Sequence, residues 1–540
     1  MKAYPEMMEG ALLQYCPNMQ GVSQSAPGPP VRRLTAGVDI GTTAVKAVAV
    51  DENGRVVQRC SVPSQLELGA SGQLEHDAGR TWWEAPRQAL AQLSSSLPSS
   101  AIASVAVSAF MPSIAAVDAT GRPIGPGLLY GDSRGRGPEG QDGKGRAVGD
   151  PTATDELAQL ASWSASRMPA AAGFWPAQAV ANGALCGEGV LDLASAFAAG
   201  TLFGGSGWDP AACREAGLDI GQLPRVATFG EPISTFFIPG ASELEHRGAR
   251  TGRAEAIGAQ GARSPRSEAV LGAGSVDGLC EQLVAGATRD GDVLVSLGST
   301  LVVWLTVPGW PEDIPGLWRV PHTAAGKAMV GGASNAGGIW VDWVDRLLGA
   351  GGPAARPPAA GRERRVGDDQ GVSDDQLAAG DVPIWWPWVR GERVPWHDPD
   401  LRARLGGATL AHGPEALRRG AFEATGFVAR HILELAGTCG TRPDRVLVTG
   451  GGAQRPAWLK ALAEVLGQPV YPATYPQGAA RGAAFLARMA IGLETSIDDA
   501  ARWASWSPPV EPRRDWVEAA AERYRRWLES LPELPALATQ

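Results

Sequence analysis

The stretch GVDIGTTAVKAVAVD, residues 37–51, consists of two short apolar runs joined by Gly41-Thr42-Thr43, with an acid, Asp39, inside the first run. Apolar runs of this length on either side of a glycine turn read as a β-hairpin. LTAGVDI, TAVKAVAV and RVVQRCSV then form a three-strand meander, with DENG as its second turn. A carboxylate is out of place in a strand that otherwise reads as core, so Asp39 needs a function.

Nearly the same pattern returns at residues 294–307, LVSLGSTLVVWLTV, where Gly298-Ser299-Thr300 replaces Gly41-Thr42-Thr43 and Ser296 stands in the place of Asp39. A repeat so widely spaced predicts two lobes of related fold rather than a solenoid, with their turns facing a shared cleft. A third glycine cluster, RVLVTGGGAQRPAWLKALAEVLG (445–467), reads as strand, turn and amphipathic helix, with Trp458, Leu459, Leu462 and Leu466 on one face. Between these landmarks GRTWWEAPRQALAQLSSSL reads as a helix, and IASVAVSAF and SIAAVDATGRPI as strands. Alternating strands and helices place the chain in the α/β class.

Composition narrows the function. The chain has 540 residues, 44% of them hydrophobic, with interspersed charges summing to -9. It lacks the basic surface of a nucleic-acid binder. The six cysteines (Cys16, Cys60, Cys186, Cys213, Cys280, Cys439) form no CxxC pair and no zinc spacing, which fits a reducing cytoplasm. Polar residues and prolines break up the first thirty residues, which therefore read as a disordered tail rather than a signal. No apolar run reaches the ~18–20 residues that cross a bilayer, so no membrane partner is expected. Residues 135–151 and 349–381, rich in Gly, Pro and charge, read as surface insertions.

Small hydroxyl residues after glycine let the backbone approach an anion and offer it both N–H groups and side-chain oxygens. Plain turn chemistry explains either turn alone; two copies together with Gly450-Gly451-Gly452 point to a nucleotide. Asp39 then reads either as the carboxylate that holds hydrated Mg2+ beside the phosphates or as a structural cap of the Gly41 turn. Lys46 reads as a phosphate contact or an exposed edge lysine. Asp277, in LGAGSVDGLCEQLVAGA, opens a helical stretch and reads as an N-cap or as the base that takes a proton from an acceptor hydroxyl. In WWPWVRGERVPWHDP (385–399) the indoles either stack on a ligand or anchor a loop.

These segments, with GQLEHDAGRTWW, DATGRPIGPGLLYGDSRG, SLGST, GERVPWHDPDLRARLGG and VTGGGAQRPAWLKALAEVLGQPV, resemble the FGGY carbohydrate kinases from about residue 35 to 505. The resemblance implies two ribonuclease-H-like, actin-like lobes, with ATP and sugar meeting in the cleft between them. It implies Asp39 on the Mg2+ side, Gly41, Thr42 and Thr43 as first phosphate contacts, and Gly298, Ser299 and Thr300 as the second phosphate turn. Gly451 and Gly452 then belong to the adenosine site, Asp277 is the catalytic base and sugar contact, and Met111 lines the sugar site. The expected layout is a tail over 1–34, a sugar and base lobe over 35–285, a nucleotide lobe over 286–505 and a helical extension over 506–540, with a homodimer left open.

The sequence departs from the family pattern in three places. SAFMPS replaces the Met-His pair of many xylulose kinases, FEATGF around Glu423 replaces a Glu-Gly pair, and Glu464 replaces an Asp. SLGST and GGASNAGG (331–338) look closer to xylulose and ribulose kinases than to glycerol kinases, so a ketopentose is the expected acceptor. Two other readings are a switch-type ATP-binding protein of the same fold and a degenerate kinase that senses sugar.

Overall fold

The computed structural model describes residues 33–69, 73–98, 100–132, 134, 156–238, 268–324, 326–349, 377–475 and 477–534. Residues 1–32, the insertion 135–151 and all but residues 349 and 377–381 of the second insertion lie outside them. The chain divides into two compact units, Met1–Val284 with Ala479–Trp503, and Ala285–Gly478 with Ala504–Gln540.

In the first unit the meander forms as its apolar alternation requires: β1 (Leu34–Ile40), β2 (Ala44–Val50) and β3 (Val56–Pro63) pair antiparallel. Two later strands, β5 (Ile102–Ala109) and β7 (Glu268–Val276), run parallel to β1, and β6 (Pro232–Phe237) closes the far edge. The sheet order is therefore β6-β7-β5-β1-β2-β3, and the short strand β4 (Leu74–His76) belongs to a separate sheet. The period of two divides β1 between two helical layers. Ala36, Val38 and Ile40 share a core with Ala89, Leu90 and Leu93 of α1 (Ala85–Ser95).

Thr35, Gly37 and Asp39 point the other way, towards a returning helix, Gly478–Ala490. Thr35 Oγ1 donates to Ala484 O at 3.1 Å, and Ser104 Oγ of β5 donates to Ala487 O at 2.7 Å. Gly37 is needed here because a β-carbon would strike the backbone of Ala480 and Ala484. The returning helix thus packs on the first sheet although it lies two hundred residues beyond that sheet's last strand.

The second unit repeats the plan with the order β10-β11-β9-β8-β12-β13. These strands are β8 (Asp292–Leu297), β9 (Leu301–Pro308), β10 (Trp318–Pro321), β11 (Lys327–Ser334), β12 (Arg445–Thr449) and β13 (Val470–Pro472). Strands β8 and β9 form the second hairpin, while β12 runs parallel to β8 and β13 parallel to β12. The layer that holds the main core contains α3 (Gly338–Leu347), α4 (Pro414–Ala436), α5 (Pro456–Leu466) and the closing α6 (Arg514–Leu528). Among the described residues no helix is long and apolar enough to cross a membrane.

Glu423 and Glu464, both from segments that depart from the family pattern, meet in this layer. Arg419 of α4 pairs with Glu423 at 2.9 Å and also with Glu464 of α5. Arg523 of α6 pairs with Glu423 at 2.7 Å, and Arg513, just before α6, pairs with Glu464 at 2.6 Å. Both carboxylates are buried, so each is tolerable only because it is paired, and the pairs tie three helices together. The indoles of 385–399 anchor the loop: Trp385, Trp386, Trp388 and Trp396 are buried, and Trp385 Nε1 donates to Leu417 O at 3.0 Å.

Candidate active site

Strand register assembles the first-unit candidates. Asp39 stands opposite Lys46 on β2 and Ser108 on β5, and Ser108 stands opposite Ser275 on β7. Directly opposed residues share a sheet face, so Ser275, Ser108, Asp39 and Lys46 form one polar row across four strands. The row lies at the carboxyl ends of the parallel strands β1, β5 and β7, the end where open α/β sheets bind ligands. Asp277 follows Ser275 by two residues and is the first residue of α2 (Asp277–Ala285). Its Oδ1 accepts from Gly278 N–H at 2.7 Å, and among the described residues nothing lies within 4 Å of a β-carbon placed on Gly278.

Neighbouring groups hold the row in place. Ser275 Oγ donates to Asp192 at 2.7 Å, and Asp192 itself accepts from Ala194 and Ser195 N–H as the cap of the following helix. Cys280 of α2 packs against the backbone of Gly482 on the returning helix and donates to Ser275 O at 3.7 Å. Its thiol is pushed well above its usual value by burial, so it is inert packing. Asp39 is half-buried, and burial raises its carboxyl to about 6 against the pull of Lys46, with Glu281 of α2 adding to the rise. Its Oδ2 lies 4.0 Å from the position of a β-carbon on Gly41, beside the first turn.

That turn is held from behind. Gly41 N–H donates to Ala44 O at 3.0 Å, and Thr42 Oγ1 meets Tyr130 OH at 2.8 Å. Thr42 O accepts from His76 Nε2 at 2.7 Å and Ser64 Oγ at 3.2 Å, and Thr43 O accepts from Ser64 N–H at 3.0 Å. Thr42 is buried and Thr43 exposed. His76 is thus a support of the turn. The signal in sequence was its place in GQLEHDAGRTWW, just ahead of Trp82.

Met111 follows the end of β5 and is half-buried, packed among the apolar residues around Ile114, Leu157 and Phe174. Well beyond Met111 in the chain, Asp132 accepts from Leu74 N–H at 2.9 Å, and Arg134 pairs with Asp132 and with Glu75, each at 2.6 Å.

In the second unit two of the three glycine turns come together. Gly450, at the end of β12, has φ 81° and lies so close to β8 that a β-carbon would sit 2.7 Å from Leu297 O and 3.1 Å from Gly298 N. Gly298 and Ser299 carbonyls accept from Gly338 and Ile339 N–H, at 2.8 and 3.0 Å, at the start of α3. Around a β-carbon on Gly451 nothing lies within 4 Å among the described residues, whereas Gly452 packs on Leu297 and Trp458.

Behind the α3 start, Glu392 of the GER segment accepts from Asn335 N–H and Arg393 N–H at 2.7 Å and from Ser334 Oγ at 2.8 Å. Burial still raises its carboxyl to about 7. Thr425 of α4 bonds Ala336 O at 2.8 Å, completing the support.

Among the described residues no three His, Cys, Asp or Glu side chains converge on a metal position. A single half-buried carboxylate beside a turn fits Mg2+, which keeps most of its waters and takes its other ligands from phosphate.

Comparison with known proteins places the chain in a family. Residues 34–138 match the model of the FGGY family of carbohydrate kinases, N-terminal domain, and residues 293–491 match that of its C-terminal domain. The chain is 24% identical to a gluconokinase of Bacillus subtilis, over 86% of this chain and 88% of that protein. It is also 24% identical to a xylulose kinase of Escherichia coli, over 88% of this chain and 97% of that protein. The solved xylulose kinase from Rhodospirillum rubrum superposes with a TM-score of 0.67 at 22% identity, covering 92% of this chain and 98% of the other.

Proposed function

Because the chain belongs to the FGGY family of carbohydrate kinases, we propose that it transfers the γ-phosphoryl group of ATP to a terminal hydroxyl of a ketopentose of the xylulose or ribulose type. The family membership makes it a phosphotransferase with an alcohol group as acceptor. The observation that carries the assignment of roles is the row Ser275, Ser108, Asp39 at the ends of three parallel strands, with Asp277 two residues beyond it.

In this reading Asp277 orients the acceptor hydroxyl and takes its proton as the bond to phosphorus forms. Asp39 would hold Mg2+, which would supply positive charge to neutralise the phosphates. Gly41, Thr42 and Thr43 contact the phosphates, as do Gly298, Ser299 and Thr300, while Gly451 leaves room for the nucleoside and Gly452, packed on Leu297 and Trp458, brings the backbone of the adenosine site against β8. Met111 borders the sugar.

A ketopentose acceptor is supported by SLGST and GGASNAGG (331–338), which resemble the xylulose and ribulose kinases more than the glycerol kinases. The test is sugar-dependent ADP formation over D-xylulose, D-ribulose, D-gluconate and glycerol. The highest kcat/KM is expected for a ketopentose; a preference for gluconate would overturn the substrate assignment, and equal ADP formation with and without every sugar would favour a switch.

A further inference from the structure

The Thr42 carbonyl is turned into the protein, where His76 and Ser64 bind it. In a trans peptide the C=O and the next N–H point in opposite directions. Whatever fixes the Thr42 carbonyl therefore fixes the direction of the Thr43 N–H, on the exposed side of the turn.

The tautomer of His76 follows from its other neighbour. Trp82 Nε1 lies 3.0 Å from His76 Nδ1, and an indole N–H can only donate, so Nδ1 accepts and Nε2 carries the proton to Thr42 O. The ring is fully buried and edge-on to Trp82 and Phe110, at centroid distances of 6.3 and 5.8 Å. Burial also pushes it down to about 4, keeping it neutral. Phe110 packs edge-on against Tyr130, whose hydroxyl meets the Thr42 side chain. Both polar handles of Thr42 thus end in one buried aromatic group, and its orientation is fixed before any ligand arrives.

We propose that His76 is a positioning residue that aims the Thr43 amide at the phosphates of ATP, with Trp82 fixing its tautomer. This rests on the reading of Gly41-Thr42-Thr43 as a phosphate turn. The role differs from plain core packing, because it requires a donor at Nε2 rather than a ring of a given size.

The test is ATP affinity by titration calorimetry, with melting temperature alongside, for His76→Leu, His76→Gln and Thr43→Glu in the full chain. Losing one oriented hydrogen bond predicts about a tenfold weaker ATP affinity for His76→Leu. His76→Gln, whose amide can both accept from Trp82 and donate to Thr42, should stay within about threefold. Thr43→Glu places a negative charge on the exposed turn and should weaken ATP binding whatever His76 does.

Equal ATP affinity in His76→Leu and the unaltered chain, with Thr43→Glu impaired, rejects the positioning role alone. Unchanged affinity in Thr43→Glu rejects the phosphate turn beneath it. Leu and Gln variants equally impaired in affinity would reduce His76 to packing. Should His76→Leu not fold, Trp82→Phe, which removes the donor that sets the tautomer, must weaken ATP binding in its place, and unaltered affinity there overturns the proposal.

Discussion

The two hairpins β1–β2 and β8–β9 come from nearly the same sequence pattern and differ where it matters. Beside the turn glycine, Asp39 Oδ2 and Ser296 Oγ occupy equivalent places, 4.0 and 3.9 Å from the β-carbon positions of Gly41 and Gly298. The turns, however, differ in length: Ile40 faces Val45 across four residues, while Leu297 faces Leu301 across three. A one-residue slip in a strand turns every side chain to the other face. Thus Asp39 gains Lys46 as its partner, whereas Ser296 faces Val302. The first hairpin places charge beside its turn, and the second ties its turn to the start of α3.

The parallel neighbours extend the comparison. Asp39 pairs with Ser108, and Ser296 pairs with Thr449. Counting onward, Met111 in the first unit corresponds to Gly452 in the second. The same strand end carries a bulky side chain in the unit assigned to the sugar and bare backbone in the unit assigned to the nucleoside.

Making the first hairpin resemble the second should have the largest effect among changes to the turns. Asp39→Ser is expected to raise the Mg2+ concentration needed for half-maximal turnover by roughly 10–100-fold, the usual cost of a lost metal-supporting group. Unaltered Mg2+ dependence would make Asp39 a structural cap.

A second prediction concerns the buried ion network that ties the helices of the second unit together. Arg523→Met leaves Glu423 with one partner in place of two and should destabilise that unit by about 3 kcal/mol or more, the cost of breaking a buried pair. Calorimetry should show the loss in the second unit's transition; an unchanged transition would mean that α6 is dispensable.

Acid should separate opposing groups in the second unit. Burial lowers His322 to about 4 from 6.5 and raises Glu392 to about 7 from 4.5. The histidine's contribution is present above pH 6.5 and is lost as pH falls towards 4, because the unfolded chain binds the proton more readily. For the glutamate the folded state binds it more readily, so stability grows as pH falls from 7 to 4.5. Relative to the unaltered chain, Glu392→Gln should lose melting temperature between pH 6.5 and 4.5, and His322→Gln should gain it. Parallel curves for all three would refute both assignments.

The smallest effect belongs to the second hairpin's own hydroxyl. Ser296→Ala should change kcat and the KM for ATP by no more than about tenfold, since a neutral hydrogen bond contributes on the order of 0.5–1.5 kcal/mol at most. A hundredfold loss would place the chemistry in both hairpins.

Much of this was legible in the sequence. The two hairpins, the strand and glycine turn at 445–452 and the helix after it follow from apolar period and glycine placement, which act locally. The one-residue difference between the turns was not, because an ungapped repeat aligns Lys46 with Val303 and conceals that Val302 takes the cross-strand place. Nor was the return of Ala479–Trp503 to the first unit, a choice made by close backbone contact at Gly37 and Gly482 rather than by any local pattern. Glu423 and Glu464 looked like unrelated departures because their common partner, Arg419, becomes visible only when α4 and α5 pack. The support that His76 gives the turn was not legible either, because its partners are a carbonyl thirty-four residues away and an indole, neither of which forms a ligand spacing.

The account rests most directly on Asp277, which opens α2 and whose capping and catalytic readings have to be told apart. Asn caps a helix about as well as Asp but cannot take a proton. Turnover, ATP affinity and melting temperature of Asp277→Asn should be measured together on the sugar found in the acceptor screen. The expected result is a kcat lowered by roughly 10²–10⁴-fold, the usual contribution of a positioned general base, with affinity and melting temperature nearly unchanged. Turnover equal to that of the unaltered chain would remove Asp277 from the chemistry and contradict the mechanism.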